Sequence, residues 1–585
     1  MPLSPVALDP QSRRDALAAM ADTELDVLVI GAGVVGAGVA LDAVTRGLTV
    51  GLVEARDYAS GTSSRSSKLV HGGLRYLKQL DFGLVFEALR ERSLILETLA
   101  PHLARPVEFL YPLTRAARDR VWVGAGVGVY DALGAGRGVP AHHRHLGKRK
   151  TEQRFPGGKS GTVRGGVRFY EGHLDDARHT LMLARTAAGY GALCANSARA
   201  VGFLEKNGRV VGARVVDVEG DNEIEVRARV TINATGAWTD EVQKALGKQG
   251  RFRVHASKGV HIVVPRAAID SRVGIVTETP KSLLFVIPCP WSEQHWLIGT
   301  TDTSWDLDLA HPAATASDID YILTQVNRLL ESPISRDDIV GVYAGLRPLL
   351  AGHSDETAKL SREHAVVSPA DGLVVIAGGK YTTYRVMAKD AVDEALRGRP
   401  SENSRTERLP LLGADGYHEM WAGRSRLSAD SGLPVATIEH LLGRYGSAIT
   451  EVLALIEADR GLARPITPHG PYLRAEVVYA VSHEGALHLE DILTRRTRMS
   501  IDTADRGVDA AQSVAELAAP LLNWDEVHTR REVAQYRARV EAEIESQRQP
   551  DDLSADAIRK GAPDPRSASP VASDGPQPLN SHAHR

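Results

Sequence analysis

The chain is short of cysteine and of long apolar runs, and each shortage removes a class of protein. Two cysteines in 585 residues, Cys194 and Cys289, exclude a disulfide framework and point to a reducing compartment. The Cys and His spacings of a zinc site are missing as well, so no metal centre is expected. No apolar stretch approaches the roughly 20 residues that span a bilayer. Charge of neither sign dominates: 70 Lys and Arg stand against 73 Asp and Glu, which gives no general pull toward nucleic acid or anionic lipid. Ser12-Arg13-Arg14 imitates a twin-arginine signal, but Asp15, Asp22 and Glu24 follow instead of an apolar segment. Residues 1–22 therefore read as a flexible N-terminal, cytoplasmic extension. The remainder is 43% hydrophobic and 24% charged, an ordinary soluble composition whose length demands two or three domains.

What is present begins at Leu25–Ile30, an apolar run that meets Gly31-Ala32-Gly33-Val34-Val35-Gly36. A helix is expected over Ala37–Arg46 and a second strand over Leu48–Val53, ending in Glu54 and Ala55. Strand, glycine turn, helix, strand and acid in this order form a dinucleotide-binding fingerprint. Gly31 permits the tight turn, Gly33 lets the backbone approach a pyrophosphate, and Gly36 lets helix and strand pack closely. The helix N-terminus offers its amides to the phosphates, and Glu54, about 20 residues on, is placed for a ribose. The Ser/Gly-rich loop that follows carries Thr62, Ser63, Ser66, Ser67, Lys68, Leu69, His71, Gly72 and Gly73. Small hydrogen-bonding residues of this kind suit a long buried cofactor, FAD rather than NAD.

Two later segments repeat the pattern of a buried strand running into small residues and a helix. They are Val230–Asn233 followed by Ala234-Thr235-Gly236, and Leu373–Ala377 followed by Gly378-Gly379-Lys380-Tyr381-Thr382 with a helix through Leu396. Between them residues 252–345 are mostly strand-like, and from about 416 to 547 nearly every segment has helical periodicity. The expected fold is α/β: a discontinuous Rossmann-like FAD-binding domain with an inserted β-rich substrate domain, plus an all-α C-terminal domain. The expected boundaries are FAD-binding parts at 23–90, 166–245 and 346–400, and substrate or cap parts at 91–165 and 246–345. The helical domain takes 401–548, and a Pro/Ser-rich disordered tail takes 549–585.

Together, Gly31–Gly36, Ser66-Ser67-Lys68-Leu69-Val70-His71-Gly72-Gly73-Leu74-Arg75-Tyr76-Leu77 and Tyr343-Ala344-Gly345-Leu346-Arg347-Pro348 resemble the FAD-dependent glycerol-3-phosphate dehydrogenases. Gly378–Arg385 and Leu489–Arg498 extend the resemblance, which runs from about Leu25 to Met499. It implies oxidation of sn-glycerol 3-phosphate to dihydroxyacetone phosphate, with electrons passed through FAD to a quinone at the cytoplasmic membrane face. The implied partners are glycerol 3-phosphate, a quinone or other electron acceptor, a peripheral membrane contact and a second copy of the chain, with no nucleic acid. Lys258-Gly259-Val260-His261 departs from the family pattern at Val260.

A phosphate dianion calls for Arg and Lys, with Arg favoured for its two-pronged donors. Arg75, Arg347 and Lys380 are the expected phosphate cations, with Arg385, Tyr76, Lys258 and His261 completing the substrate site. His71 is the expected base, since imidazole titrates near neutrality, with a hydrogen-bonding wall residue as the alternative. Arg347 and Lys380 join it in the chemical step. The helix start at Lys380-Tyr381-Thr382 is expected to face the flavin ring. His483-Glu484-Gly485-Ala486-Leu487-His488 imitates a zinc-protease motif, but its histidines are five apart rather than four. The basic run His142–Arg154 reads as a solvated loop. Three rival functions stay open: an oxidase on the same substrate, an amine-oxidising flavoenzyme, and a non-catalytic FAD-binding scaffold. The amine oxidiser would want a carboxylate clamp instead of three phosphate-seeking cations.

Overall fold

The computed structural model describes residues 6–73, 82–113, 143–244, 253–280, 282–289, 292, 294–350, 363–468 and 470–566. Its first sheet assembles the three separated strand–helix units. His364–Ala370, Leu373–Gly378, Asn222–Asn233, Leu25–Ile30, Val50–Val53 and Leu193–Ala195 lie side by side in that order. The last five are parallel, as crossovers through Val34–Thr45 and its counterparts require. Both faces of Leu25–Ile30 are covered, so the strand is almost uniformly buried rather than alternating. Ala198–Lys206 and Arg209–Asp217 extend Asn222–Asn233 as an antiparallel ribbon. The expected hairpin turn is there: Asn207 at φ 53° and Gly208 at φ 77° give the two left-handed residues of a primed turn.

The second sheet carries the inserted domain. Val254–Pro265 sits between Gly341–Leu350 and His295–Gly299, antiparallel to both. The sheet continues through Leu283–Pro288, Gly274–Glu278, Ala104–Leu113 and Gly165–Leu174 to the short strand Leu69–Val70. That last strand carries the Ser/Gly loop of the nucleotide domain into the substrate sheet, so cofactor wall and substrate wall are one continuous chain.

From Tyr417 onward the described chain is helical. Its docking on the nucleotide domain is ionic. Arg496 and Arg495 meet Asp57, Arg178 meets Glu484, and Arg498 meets Asp175 and Asp176. Each of these side chains is at most 8% exposed. Pairing is what makes such burial tolerable. The arginines of 495–498 therefore cap the nucleotide domain and are buried inside the molecule.

Two terminal expectations are corrected. Pro10–Asp22 is a helix, N-capped by Asp9, whose Met20 is fully buried and whose Arg13 donates to the Asn196 and Ser197 carbonyls and pairs with Asp217. Its apolar stripe Ala16, Leu17 and Met20 packs on one face of the first sheet, against Leu25, Leu28, Ile30, Val53 and Ala195, which a flexible extension would leave uncovered. The tail also orders further than composition suggests. Asp552–Gly561 is helical, and Arg566, 1% exposed, pairs with Asp491. Few apolar residues are needed there because charged groups of the folded body supply the contacts. Residues 567–585 lie outside the described residues.

Candidate active site

The three strand-to-helix turns converge on one cavity of about 660 Å³. It is lined by Gly31, Gly33, Val34, Val35, Glu54, Ala55, Thr62, Ser63, Ser66, Ser67, Leu69 and His71 from the first unit. Ala234, Thr235 and Gly236 come from the second unit, and Gly379, Lys380 and Tyr381 from the third. Gly259, His261 and Arg347 reach the same cavity from the substrate sheet.

The fingerprint behaves as its chemistry demands. Gly31 has φ 99°, a left-handed conformation costly for other residues. A Cβ on Gly36 would strike the Gly31 carbonyl, so helix and turn approach only because it is absent. The Ser63 hydroxyl accepts from the Val34 amide at 2.9 Å at the start of the helix. Glu54 accepts from the Ala32 and Arg56 amides at 2.8 and 2.9 Å, one on each carboxylate oxygen. Each oxygen keeps acceptor capacity for ribose hydroxyls. Burial raises the Glu54 carboxyl above its ordinary range, with the two amides pulling the other way. A long cavity with a glycine turn at a helix N-terminus and an acid beyond it fits FAD.

At the other wall, Arg347 is held rather than loose. Its Nη2 donates to Thr300 Oγ1 at 2.9 Å and its Nη1 to the Thr301 carbonyl at 3.2 Å, with Asp302 at 3.8 Å. A Cβ on Gly259 would collide with this guanidinium, so the glycine on the neighbouring strand makes the space. His261 stacks on Tyr343 with centroids 4.9 Å apart, and its Nε2 meets Ser67 Oγ at 2.9 Å. Burial first, then the nearby Arg347 and Lys68 charges, hold His261 well below the usual imidazole range. It is neutral at physiological pH. The His71 amide donates to Thr382 Oγ1 at 3.1 Å, which joins the first and third units behind the cavity wall. Lys380 precedes the turn Tyr381–Thr383 that leads into the helix Tyr384–Ala395.

Several expected site residues stand elsewhere. Lys258 points away from the cavity: its ammonium binds Asp318 at 2.6 Å and also meets Asp552. Strand parity explains this, since Gly259 and His261 occupy one face of Val254–Pro265 and Lys258 and Val260 the other. The Val260 departure therefore falls in the core and leaves the site's face untouched. Arg385 is engaged in a two-pronged pair with Glu91 at 2.6 and 2.7 Å, both side chains buried. Lys68 turns its ammonium onto Asp176 and the Ser64 carbonyl, and burial, opposed by Asp176, lowers it to about 8. Its contribution to the wall is structural. Gly36, Gly72, Gly73 and Thr382 support the wall from outside the cavity lining. Arg75 and Tyr76 lie outside the described residues. In the mimic of a zinc motif, Glu484 is bound to Arg178, and His488 lies between Glu219 and Glu532.

Sequence reasoning passed over Arg56, Arg65, Trp238 and residues 199–203, which also line the cavity. Trp238 follows Ala234-Thr235-Gly236 closely enough to have been included. The 199–203 segment belongs to a ribbon strand, and no local signal marks it.

Comparison with known proteins agrees with this geometry. The family described as "FAD dependent oxidoreductase" matches residues 26–393, and the one described as "C-terminal domain of alpha-glycerophosphate oxidase" matches 404–529. Glycerol-3-phosphate dehydrogenase 2 of Mycobacterium tuberculosis is 56% identical over 562 residues, 96% of this chain and 95% of that protein. The human mitochondrial glycerol-3-phosphate dehydrogenase is 37% identical, over 89% of this chain and 74% of its own. The crystal structure of a Bacillus halodurans glycerol-3-phosphate dehydrogenase complexed with FAD superposes with a TM-score of 0.75 at 29% identity, covering 91% of this chain and 98% of that one. With the fingerprint, the three converging turns and these relatives in agreement, the chain belongs to the family of FAD-dependent glycerol-3-phosphate dehydrogenases.

Proposed function

We propose that the chain oxidises sn-glycerol 3-phosphate to dihydroxyacetone phosphate and passes the electrons to a quinone. The observation that carries this reading is Arg347, braced by Thr300 and Thr301 and facing the cavity that also holds the nucleotide fingerprint. A guanidinium so fixed meets two phosphate oxygens at once, and Lys380 lines the same cavity. FAD, when bound, supplies the acceptor for the hydride leaving the alcohol carbon. The protein must then take the hydroxyl proton. His71 keeps the role of base, and His261, neutral and oriented by Ser67 and Tyr343, hydrogen-bonds the hydroxyl that His71 deprotonates. His71→Gln should lower kcat by about 10²–10⁴-fold, the range of general-base catalysis, and more than His261→Gln does. The reverse order would move the base to His261.

A quinone acceptor implies contact with a membrane surface rather than passage through it. Among the described residues no helix is long and apolar enough to cross one. Oxygen is the second reading, favoured by the match of residues 404–529 to a domain described from an oxidase. The test is anaerobic mixing with glycerol 3-phosphate, which should bleach the flavin; failure to bleach removes the substrate assignment. Reoxidation of the bleached protein by a quinone analogue should then outpace reoxidation by oxygen. Faster oxygen turnover would replace the dehydrogenase reading with the oxidase one.

A further inference from the structure

A second cavity, about 80 Å³, lies behind the first, between the substrate sheet, the helical domain and the C-terminal segment. It exceeds the ~10–15 Å³ that one water needs. Its walls are unusually cationic. Arg65, Arg506, Arg539 and Arg559 line it against two acids, Glu490 and Glu543. Arg498 lines it too, but Asp175 and Asp176 already neutralise that guanidinium.

The remaining pairs leave donors over. Arg506 binds Glu543 at 2.8 Å and Gln547 Oε1 at 3.1 Å. Arg539 binds Glu490 at 3.2 Å, and Arg559 Nη1 reaches Glu543 at 3.3 Å. Two donors then have no acceptor among the described residues: Arg559 Nε and Gln547 Nε2, on residues 7% and 9% exposed. Ser500 Oγ, on the same wall, is a third group without a hydrogen bond. An unmet buried donor is costly, and two beside a surplus of positive charge are met most economically by one multivalent acceptor. The surplus is felt at Arg65, lowered to about 10 by burial and by the neighbouring arginines 559, 495 and 56, against the opposing pull of Glu490.

We infer that this cavity is a binding site for a small oxyanion of the phosphate class, held by Arg559, Arg506, Arg539, Arg65 and the Gln547 amide. The volume favours the free ion over a phosphorylated triose. Because these residues come from the C-terminal helix, the helical domain and the Ser/Gly loop of the nucleotide domain, the bound ion would fasten the three together. Arg65 lines both cavities, so the two sites share a residue.

The test uses the FAD-loaded full chain in an Arg347→Lys background, which weakens anion binding on the flavin side. Thermal melts are taken with rising inorganic phosphate at constant ionic strength. A saturable rise in Tm of about 2–5 °C is expected, the scale of a ligand bound well above its Kd. Gln547→Glu places a carboxylate against the same donors. It should raise the phosphate-free Tm and abolish the increment, whereas Arg559→Gln, which also loses the Glu543 pair, should abolish the increment while lowering the phosphate-free Tm. Absence of a saturable rise, or a rise that Gln547→Glu leaves intact, would overturn the assignment. If Arg559→Gln does not fold, the Gln547→Glu comparison still decides.

Discussion

At the scale of single residues, the site distinguishes cations that face the cavity from cations that hold the fold. Arg347→Lys keeps the charge and loses the second prong, so kcat/KM for glycerol 3-phosphate should fall about 10- to 100-fold, or ~1.4–2.7 kcal/mol. FAD content should not change. Glycerol without its phosphate should react poorly with both proteins and suffer little further loss in the variant; equal damage to both substrates would mean that Arg347 does not read the phosphate. Lys258 makes the opposite case. Lys258→Met should leave KM within about twofold while lowering stability by about 3–5 kcal/mol, because Asp318 stays buried without its main partner. Urea unfolding beside steady-state kinetics separates the two effects, and a raised KM with intact stability would return Lys258 to the site.

At the scale of elements, the strand-to-helix turn does the positioning, and three of them bring small residues, helix N-termini and one acid to a common wall. The same logic explains why the N-terminal helix Pro10–Asp22 matters. It is not part of a turn; it covers one face of the first sheet, with Met20 over Gly51. Met20 is its deepest residue, fully buried. Met20→Ala should lower stability by about 2–5 kcal/mol, the usual range for a buried methionine truncated to a cavity, with FAD affinity preserved. A change below ~0.5 kcal/mol, typical of surface positions, would mean that the helix is only loosely docked.

At the scale of the whole molecule, buried ion pairs bind the helical domain to the nucleotide domain. A further contact, buried His488 with Glu532 beside it and the more exposed Glu219 across the boundary, makes stability depend on pH. Burial alone would lower His488, yet Glu219 and Glu532 outweigh it and the nearby Arg566, and raise the imidazole to about 9 from 6.5. A raised folded-state value stabilises fully below pH 6.5 and is lost as pH rises through 9. Glu219 is shifted the other way: its partners, chiefly His488, overcome burial and bring it to about 2 from 4.5. Its contribution is present above pH 4.5 and lost as pH falls through 2. The stability difference between the parent and His488→Gln should therefore be greatest between pH 4.5 and 6.5. It should shrink toward pH 9, by an amount on the order of 3 kcal/mol. Denaturant melts across that range check it; a difference that stays constant to pH 9 would show that His488 is not charged in the fold.

The nucleotide fold was legible in the residues alone, because that information is local. Gly31, Gly33, Gly36 and Glu54 answer to one turn and the strand after it, and each does so within about 25 residues of its partners. The Ser66–Gly73 block and the Arg347 segment stood out through their resemblance to a known family, and the roles expected of them came with that resemblance. Which of the expected cations line the cavity became clear only from tertiary contacts. Lys258 and His261 lie three positions apart on one strand, so pairing in a two-sided sheet sends them to opposite faces, and Asp318 and Asp552 claim the lysine from elements distant in the chain. Arg385 was claimed by Glu91 in the same way. The C-terminal end was misread because composition measures apolar content alone, whereas Arg566 is held by Asp491, a partner only after the domains have met. The N-terminal helix was misread because its stripe Ala16, Leu17 and Met20 is short and finds its apolar neighbours only on the assembled sheet.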